Sequence, residues 1–222
     1  MRYQQTDAGG LWSRVTFLAV LAGLLYASWP LGYWLNPAVA KNGLASGLEA
    51  LHQPYNWVFI TTDIISSLLI LLACWLLRRR LGATSQKRLL DLVLLNVVIF
   101  AVGTIADTLL PMHCEPSLRH CPSFTVDYFL LFHGVFSIVS AACLFFSLAL
   151  LWWHNNRDRL LSGLVFGYVL FSLTTLIEII GWKGGNWSQH YYLTLCGVWL
   201  ALLPYALHRA FPPSGDVAPP KD

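Results

Sequence analysis

Six apolar stretches set the rhythm of this chain, at residues 15–35, 58–77, 89–110, 126–151, 159–181 and 190–207. Each is close to the roughly 20 residues that an α-helix needs to cross about 30 Å of hydrocarbon. The runs are continuous instead of alternating, so they predict helices and exclude a transmembrane β-barrel. The segments between them are of two kinds. Those at 78–88 and 152–158 are short and charged, whereas 36–57, 111–125 and 182–189 are longer. The pattern predicts an all-α fold: a polytopic six-helix transmembrane bundle over residues 1–211, followed by a disordered tail over 212–222. That tail is rich in Pro and poor in apolar residues, so it has little to bury. Trp29-Pro30 closes the first span in place of a signal-peptide cleavage site.

Charge then sets the orientation. Only 11% of the chain is charged and 56% is hydrophobic, where a soluble domain carries about 25% charged residues. With both termini in the cytoplasm, Arg2, Arg14, Arg78, Arg79, Arg80, Lys87, Arg88, Arg157, Arg159, Arg209 and Lys221 lie inside, and only Lys41, Arg119 and Lys183 lie outside. That bias follows the positive-inside rule and predicts a multi-pass protein of the plasma (inner) membrane. The net charge of +3 therefore reads as topology and implies no nucleic-acid partner. Trp12, Trp29, Trp34, Trp57, Trp152, Trp153, Trp182 and Trp187 fall near predicted span ends, as interfacial belt residues do. The segment Leu44–Leu51 reads as a short helix that either caps the bundle or lies on the bilayer surface.

Against this apolar background, five ionisable residues fall at one level near the outer side: Asp63, Asp107, His133, Glu178 and His190. Ionisable groups inside a membrane are costly unless they pair, bind an ion or line a wet cavity. Ser66 and Ser67 lie one turn below Asp63, Thr104 one turn below Asp107, and Ser137 four residues after His133. One reading is structural: hydrogen-bonded carboxyls, a histidine held by Asp107, and a Glu178 and His190 that are simply wet. The other is catalytic. His133, His190 and either Asp107 or Glu178 supply ligands for zinc or another divalent ion, leaving an open position for water. Asp63 and Asp107 then orient or deprotonate that water, and Ser66 or Ser67 binds a developing oxyanion. Neither serine sits in a Gly-x-Ser-x-Gly elbow, so serine is not favoured as the nucleophile. No two ligands form a tight motif such as His-Glu-x-x-His.

The cysteines divide by location. Cys74, Cys143 and Cys196 lie within spans and read as packing residues. Cys114 and Cys121 lie seven positions apart in the third outer loop. In an oxidising compartment they predict a structural disulfide. With His113 and His120 they form a duplicated His-Cys pair that could instead hold zinc.

Two resemblances bear on function. A serine in span two, an aspartate at the outer end of span three and histidines near that level look like the CREST superfamily of membrane hydrolases, which includes alkaline ceramidases and adiponectin-receptor-like proteins. By that likeness Ser66 or Ser67 would match the family serine and Asp107 its aspartate, beside a zinc ion. The chain departs from the pattern in having six spans, not seven, and no closing His-x-x-x-His pair. The stretch Asp107–Cys114, with Cys121 and His133–Ser137, resembles more closely a family of uncharacterised six-helix bacterial membrane proteins of the DUF class. Three functions stay open. One is a metal-dependent hydrolase of a lipid-like ester or amide, with membrane lipids or a lipid-like substrate as its partner. The second is a transporter or small-molecule binder. The third is a structural, sensory or partner-binding protein.

Overall fold

The computed structural model describes residues 6–82, 84–113, 115, 128–155, 158–181 and 187–211. Among them the chain is helical, with no strand. The long helices are α1 (Thr6–Tyr26), α4 (Asn56–Leu81), α5 (Lys87–Leu109), α6 (Tyr128–His154), α7 (Arg159–Gly181) and α8 (Trp187–Ala210). Between α1 and α4 lie α2 (Gly32–Leu35), α3 (Pro37–Asn42) and two 3₁₀ turns, Trp29–Leu31 and Ala45–Glu49. Six helical segments are long and apolar enough to cross a membrane, and they coincide with the six runs read from the sequence. The tail, Cys114 and Cys121 fall outside the described residues.

The six long helices close a ring in the order α1–α4–α5–α6–α7–α8 and back to α1. Packing is closest along α5–α6 and α1–α8, and loosest between α6 and α7. The α1–α8 crossing rests on two glycines. A Cβ on Gly23 would overlap the Gly197 carbonyl oxygen, and one on Gly197 would overlap that of Gly23. Small residues that let backbones touch are how membrane helices gain dispersion energy where lipid removes the hydrophobic drive. Ile70, Leu77, Phe100, Leu144, Leu148, Trp199 and Leu203 fill the interior. Phe17, Leu24, Leu68, Leu95, Ile138 and Phe166 project outward, as lipid-facing residues must.

One end of the ring is basic. Arg78 pairs with Asp91 at 2.5 Å, and Arg209 with Asp158 at 2.8 Å. Asp158 also starts α7 by accepting from the Leu160 and Leu161 amides, a capping carboxylate.

The opposite end is roofed. Asn36 accepts from the Val39 amide at the start of α3, with Pro37 in the first helical position, where a missing N–H costs nothing. Val39, Ala40, Leu48 and Phe59 form a small second core, joined by Trp29, Tyr33, Leu35 and Val58. Ala45, Gly47, Leu48 and Glu49 are all buried. Of the two placements open for this segment, capping the bundle is therefore the one observed. We call this end the capped end.

Candidate functional site

The cap is tied down by groups from three directions. The Leu51 amide donates to the Met112 carbonyl at 2.8 Å. Glu115 is fully buried, accepts from the Leu44 amide at 3.4 Å and packs against Gly47, where a Cβ would overlap its carboxylate. Gln189, from the first turn of α8, accepts from the Ala45 amide at 2.6 Å and donates to Ser46 at 3.4 Å.

Beneath the cap lies a cavity of about 90 Å³, room for several waters. Asp63, Asp107 and His133 all line it, with Ser137, Ser140 and Thr104 on the same side and Tyr26, Trp29, Phe59 and Tyr192 as aromatic walls. Glu49 enters from the cap above.

The α5 and α6 contributions interlock. Asp107 is near the end of α5, and His133 and Ser137 are one turn apart on α6, so both reach it. His133 Nδ1 lies 2.7 Å from Asp107 Oδ1. Ser137 Oγ donates to Asp107 Oδ2 at 2.8 Å. Asp107 thus accepts a hydrogen bond at Oδ2 while Nδ1 of His133 lies close against Oδ1, leaving Nε2 as the ring nitrogen for a ligand.

A second acidic pair faces this one. Glu49 and Asp63 share a side-chain hydrogen bond. The Glu49 carboxyl is pushed well above the usual carboxylate range. Burial is the largest cause, followed by the negative charge of Asp63, the hydrogen bond to Asp63 and the charge of Asp107; His133 acts in the opposite direction. Two buried carboxyls in contact cannot both ionise cheaply, so Glu49 keeps its proton and donates it to Asp63.

The remaining expected residues are elsewhere. Ser66 donates to the Ala22 carbonyl at 2.8 Å and fastens α4 to α1. Ser67 is buried, and neither serine lines the cavity. Glu178 accepts a short hydrogen bond from Ser188. His190 is buried against the Trp29 and Trp187 rings, at 4.4 and 6.2 Å between centroids. Neither Glu178 nor His190 lines the cavity. A zinc site on His133, His190, Asp107 and Glu178 needs at least three of those side chains at one point, since direct bonds are about 2 Å. Among the described residues, no three His, Cys, Asp or Glu side chains are so arranged. The expected Cys114–Cys121 disulfide lies outside the described residues; Cys74, Cys143 and Cys196 are free thiols.

The sequence pattern did not mark Glu49, Ser140, Gln189 or Tyr26 as cavity residues. Only Glu49 carried a visible signal, as the single acid inside the apolar run Leu44–Leu51. Trp29 also departs from its expected belt position: it lines the cavity, and its Nε1 donates to Thr194 at 3.0 Å. Trp34, Trp57 and Trp153 are exposed near helix ends, as a belt requires.

Comparison with known proteins gives one family. The model for DUF998, a protein of unknown function, matches residues 19–212. No curated protein and no solved structure gives a significant match, and nothing in these comparisons carries the likeness to the CREST superfamily. The matched stretch spans the cap and nearly all of the six-helix ring, and the chain belongs to the DUF998 family.

Proposed function

We propose that the capped cavity is the active site of a membrane hydrolase acting on a lipid-like ester or amide. The observation that carries this reading is the facing of two acid–base pairs across one small cavity. On one side Asp107 holds His133 Nδ1 at 2.7 Å and Ser137 at 2.8 Å; on the other sits the proton-sharing Glu49–Asp63 pair.

In this reading His133 Nε2 takes a proton from water as the water attacks the substrate carbonyl, and Asp107 steadies the imidazolium that forms. Glu49 delivers its proton to the departing oxygen or nitrogen. His133 then returns a proton to the carboxyl pair, which closes the cycle. The Ser140 hydroxyl is placed to donate to the developing oxyanion. The cap supports the reading because excluding bulk water strengthens every polar interaction beneath it.

We further place the basic end in the cytoplasm and the capped end outside, in the plasma membrane, on the positive-inside rule. A cavity at the capped end, above an apolar half-ring, favours a site of chemistry over a transport path. The cytoplasmic half is closed by Ile70, Leu148, Trp199 and Leu203.

The test is hydrolysis by purified protein in micelles, against a panel of lipid-like esters and amides. Wild type turns over at least one class. Asp107→Asn, which keeps the shape but not the orientation of the His133 proton, loses at least about 100-fold. Equal rates for the two proteins would sink the dyad as the base.

A further inference from the structure

We infer that this cavity receives a small organic ammonium group, the cationic head of its ligand. The inference names a substrate class for the hydrolase reading above and rests on that reading only for the word substrate.

Charge is the first argument. Glu49, Asp63 and Asp107 all line the cavity, and among the described residues no Lys or Arg does. His133 is the one basic side chain among the lining residues, and its Nδ1 is already taken by Asp107. An anionic head would meet three carboxyls and no fixed cation. A cationic head would meet Asp63, a carboxyl with no cationic side chain beside it among the described lining residues, in a setting where an unpaired charge is costly.

The lining chemistry separates an organic cation from a metal ion. Metal ions need several oxygen or nitrogen ligands converging at about 2.0–2.6 Å, and the described residues offer no such convergence. The walls instead carry the aromatic residues Tyr26, Trp29, Phe59 and Tyr192. Aromatic rings beside carboxylates are the combination that recognises ammonium groups.

The third argument is a polar atom left waiting. Ser140 is 95% buried, lines the cavity from α6, and its Oγ has no hydrogen-bond partner among the described residues. Buried hydroxyls without partners are rare. Ser140 sits where it can accept from an ammonium N–H or meet an adjoining oxygen of the ligand. Gly103 makes this placement possible, because any Cβ there would overlap Ser140 Oγ. The contact that fixes Ser140 is thus a steric one, and its hydrogen-bonding capacity stays available to the cavity.

Binding can be measured without any turnover. Wild-type protein in nonionic micelles is titrated with ethanolammonium chloride, choline chloride, sodium chloride at matched ionic strength, and the uncharged isostere of choline in which tert-butyl replaces trimethylammonium. Tryptophan fluorescence and calorimetric heat report occupancy. At least one ammonium should bind saturably and at least about tenfold more tightly than both the isostere and sodium. Asp63→Asn should weaken that binding about tenfold, and Ser140→Ala, checked for an unchanged melting temperature, several-fold. No saturable ammonium binding, or equal effects from the isostere or from sodium, overturns the inference. Both outcomes are read on wild-type protein, so they do not depend on either variant folding. Ammonium binding without hydrolysis of any ester or amide sinks the hydrolase reading alone. Hydrolysis that ignores headgroup charge sinks the ammonium inference alone.

Discussion

The two ends of one helix ring solve burial in opposite ways. Toward the basic end, α4, α6 and α8 send Leu77, Leu148 and Trp199 into the centre. The main polar contact there is self-contained: Trp199 Nε1 donates to Ser147, which itself donates to the Leu144 carbonyl. Charges at that end stay on the rim, with the Arg78–Asp91 pair more than a third exposed. Toward the capped end α4, α5 and α6 turn Asp63, Asp107, His133 and Ser137 inward, and the chain spends some twenty further residues on a roof. Rim pairs gain little, because water competes for both partners. Buried pairs cost much to assemble and more to break. A fold that needed stability alone would have continued the apolar core upward. Polarity confined to one roofed end is what a site requires.

The sharpest break in this comparison is removal of a partner at each end. Asp107→Ala leaves His133 and Ser137 buried without their acceptor, and should cost about 3 kcal/mol of unfolding free energy. Asp91→Ala at the basic end should cost about 1 kcal/mol or less. Thermal unfolding in micelles compares them directly, and equal losses would erase the distinction between the ends.

A packing control comes next. Gly197→Ala forces α1 and α8 apart at their closest approach and should cost roughly 1–3 kcal/mol. Gly163→Ala on α7, where a Cβ meets nothing within 4 Å, should be neutral or slightly stabilising. If both behave alike, the α1–α8 crossing is not close-packed.

Glu49 gives a pH signature confined to the capped end. Its carboxyl is raised in the fold, so between the ordinary value of roughly 4–5 and the raised value the fold holds a proton that the unfolded chain has released. Stability from this group is therefore lost as pH rises through that window, at up to about 1.4 kcal/mol per pH unit for one proton. Glu49→Gln keeps a donor toward Asp63 and removes the titration. The variant's melting temperature should fall less between about pH 5 and pH 8 than that of wild type. Asp63, Asp107 and His133 face Glu49 in both proteins, so the difference in slope reports the Glu49–Asp63 pair. Identical slopes would show that Glu49 is not held protonated beneath the cap.

Much of the ring was legible because membrane solvation writes it in composition. Twenty-residue apolar runs have one structural outcome, and ionisable residues within them stand out. Asp63, Asp107 and His133 were found that way, and the cavity unites them. Helix rotation was not legible. Ser66 and Ser67 share a level with the cavity, but their direction depends on which neighbour α4 packs against, and α1 claims Ser66. Glu178 and His190 sit at the right end, yet Ser188 and the ring of Trp29 engage them instead. Glu49 was hidden for a different reason. Its burial comes from tertiary closure of the 36–55 segment, held by Glu115 and Gln189 across 71 and 144 residues of chain, and no local pattern encodes such contacts.

The central claim is that chemistry belongs to the capped end and not to the basic one. Two histidines of the same helix test it: His133 at the cavity, and His154 stacked on Phe211 at the far end of α6. On the first ester or amide that wild type hydrolyses, initial rates are measured for His133→Ala and His154→Ala in identical micelles. His133→Ala should lose at least about 100-fold, and His154→Ala should keep its rate. Full activity in folded His133→Ala, or a comparable loss in His154→Ala, would contradict it.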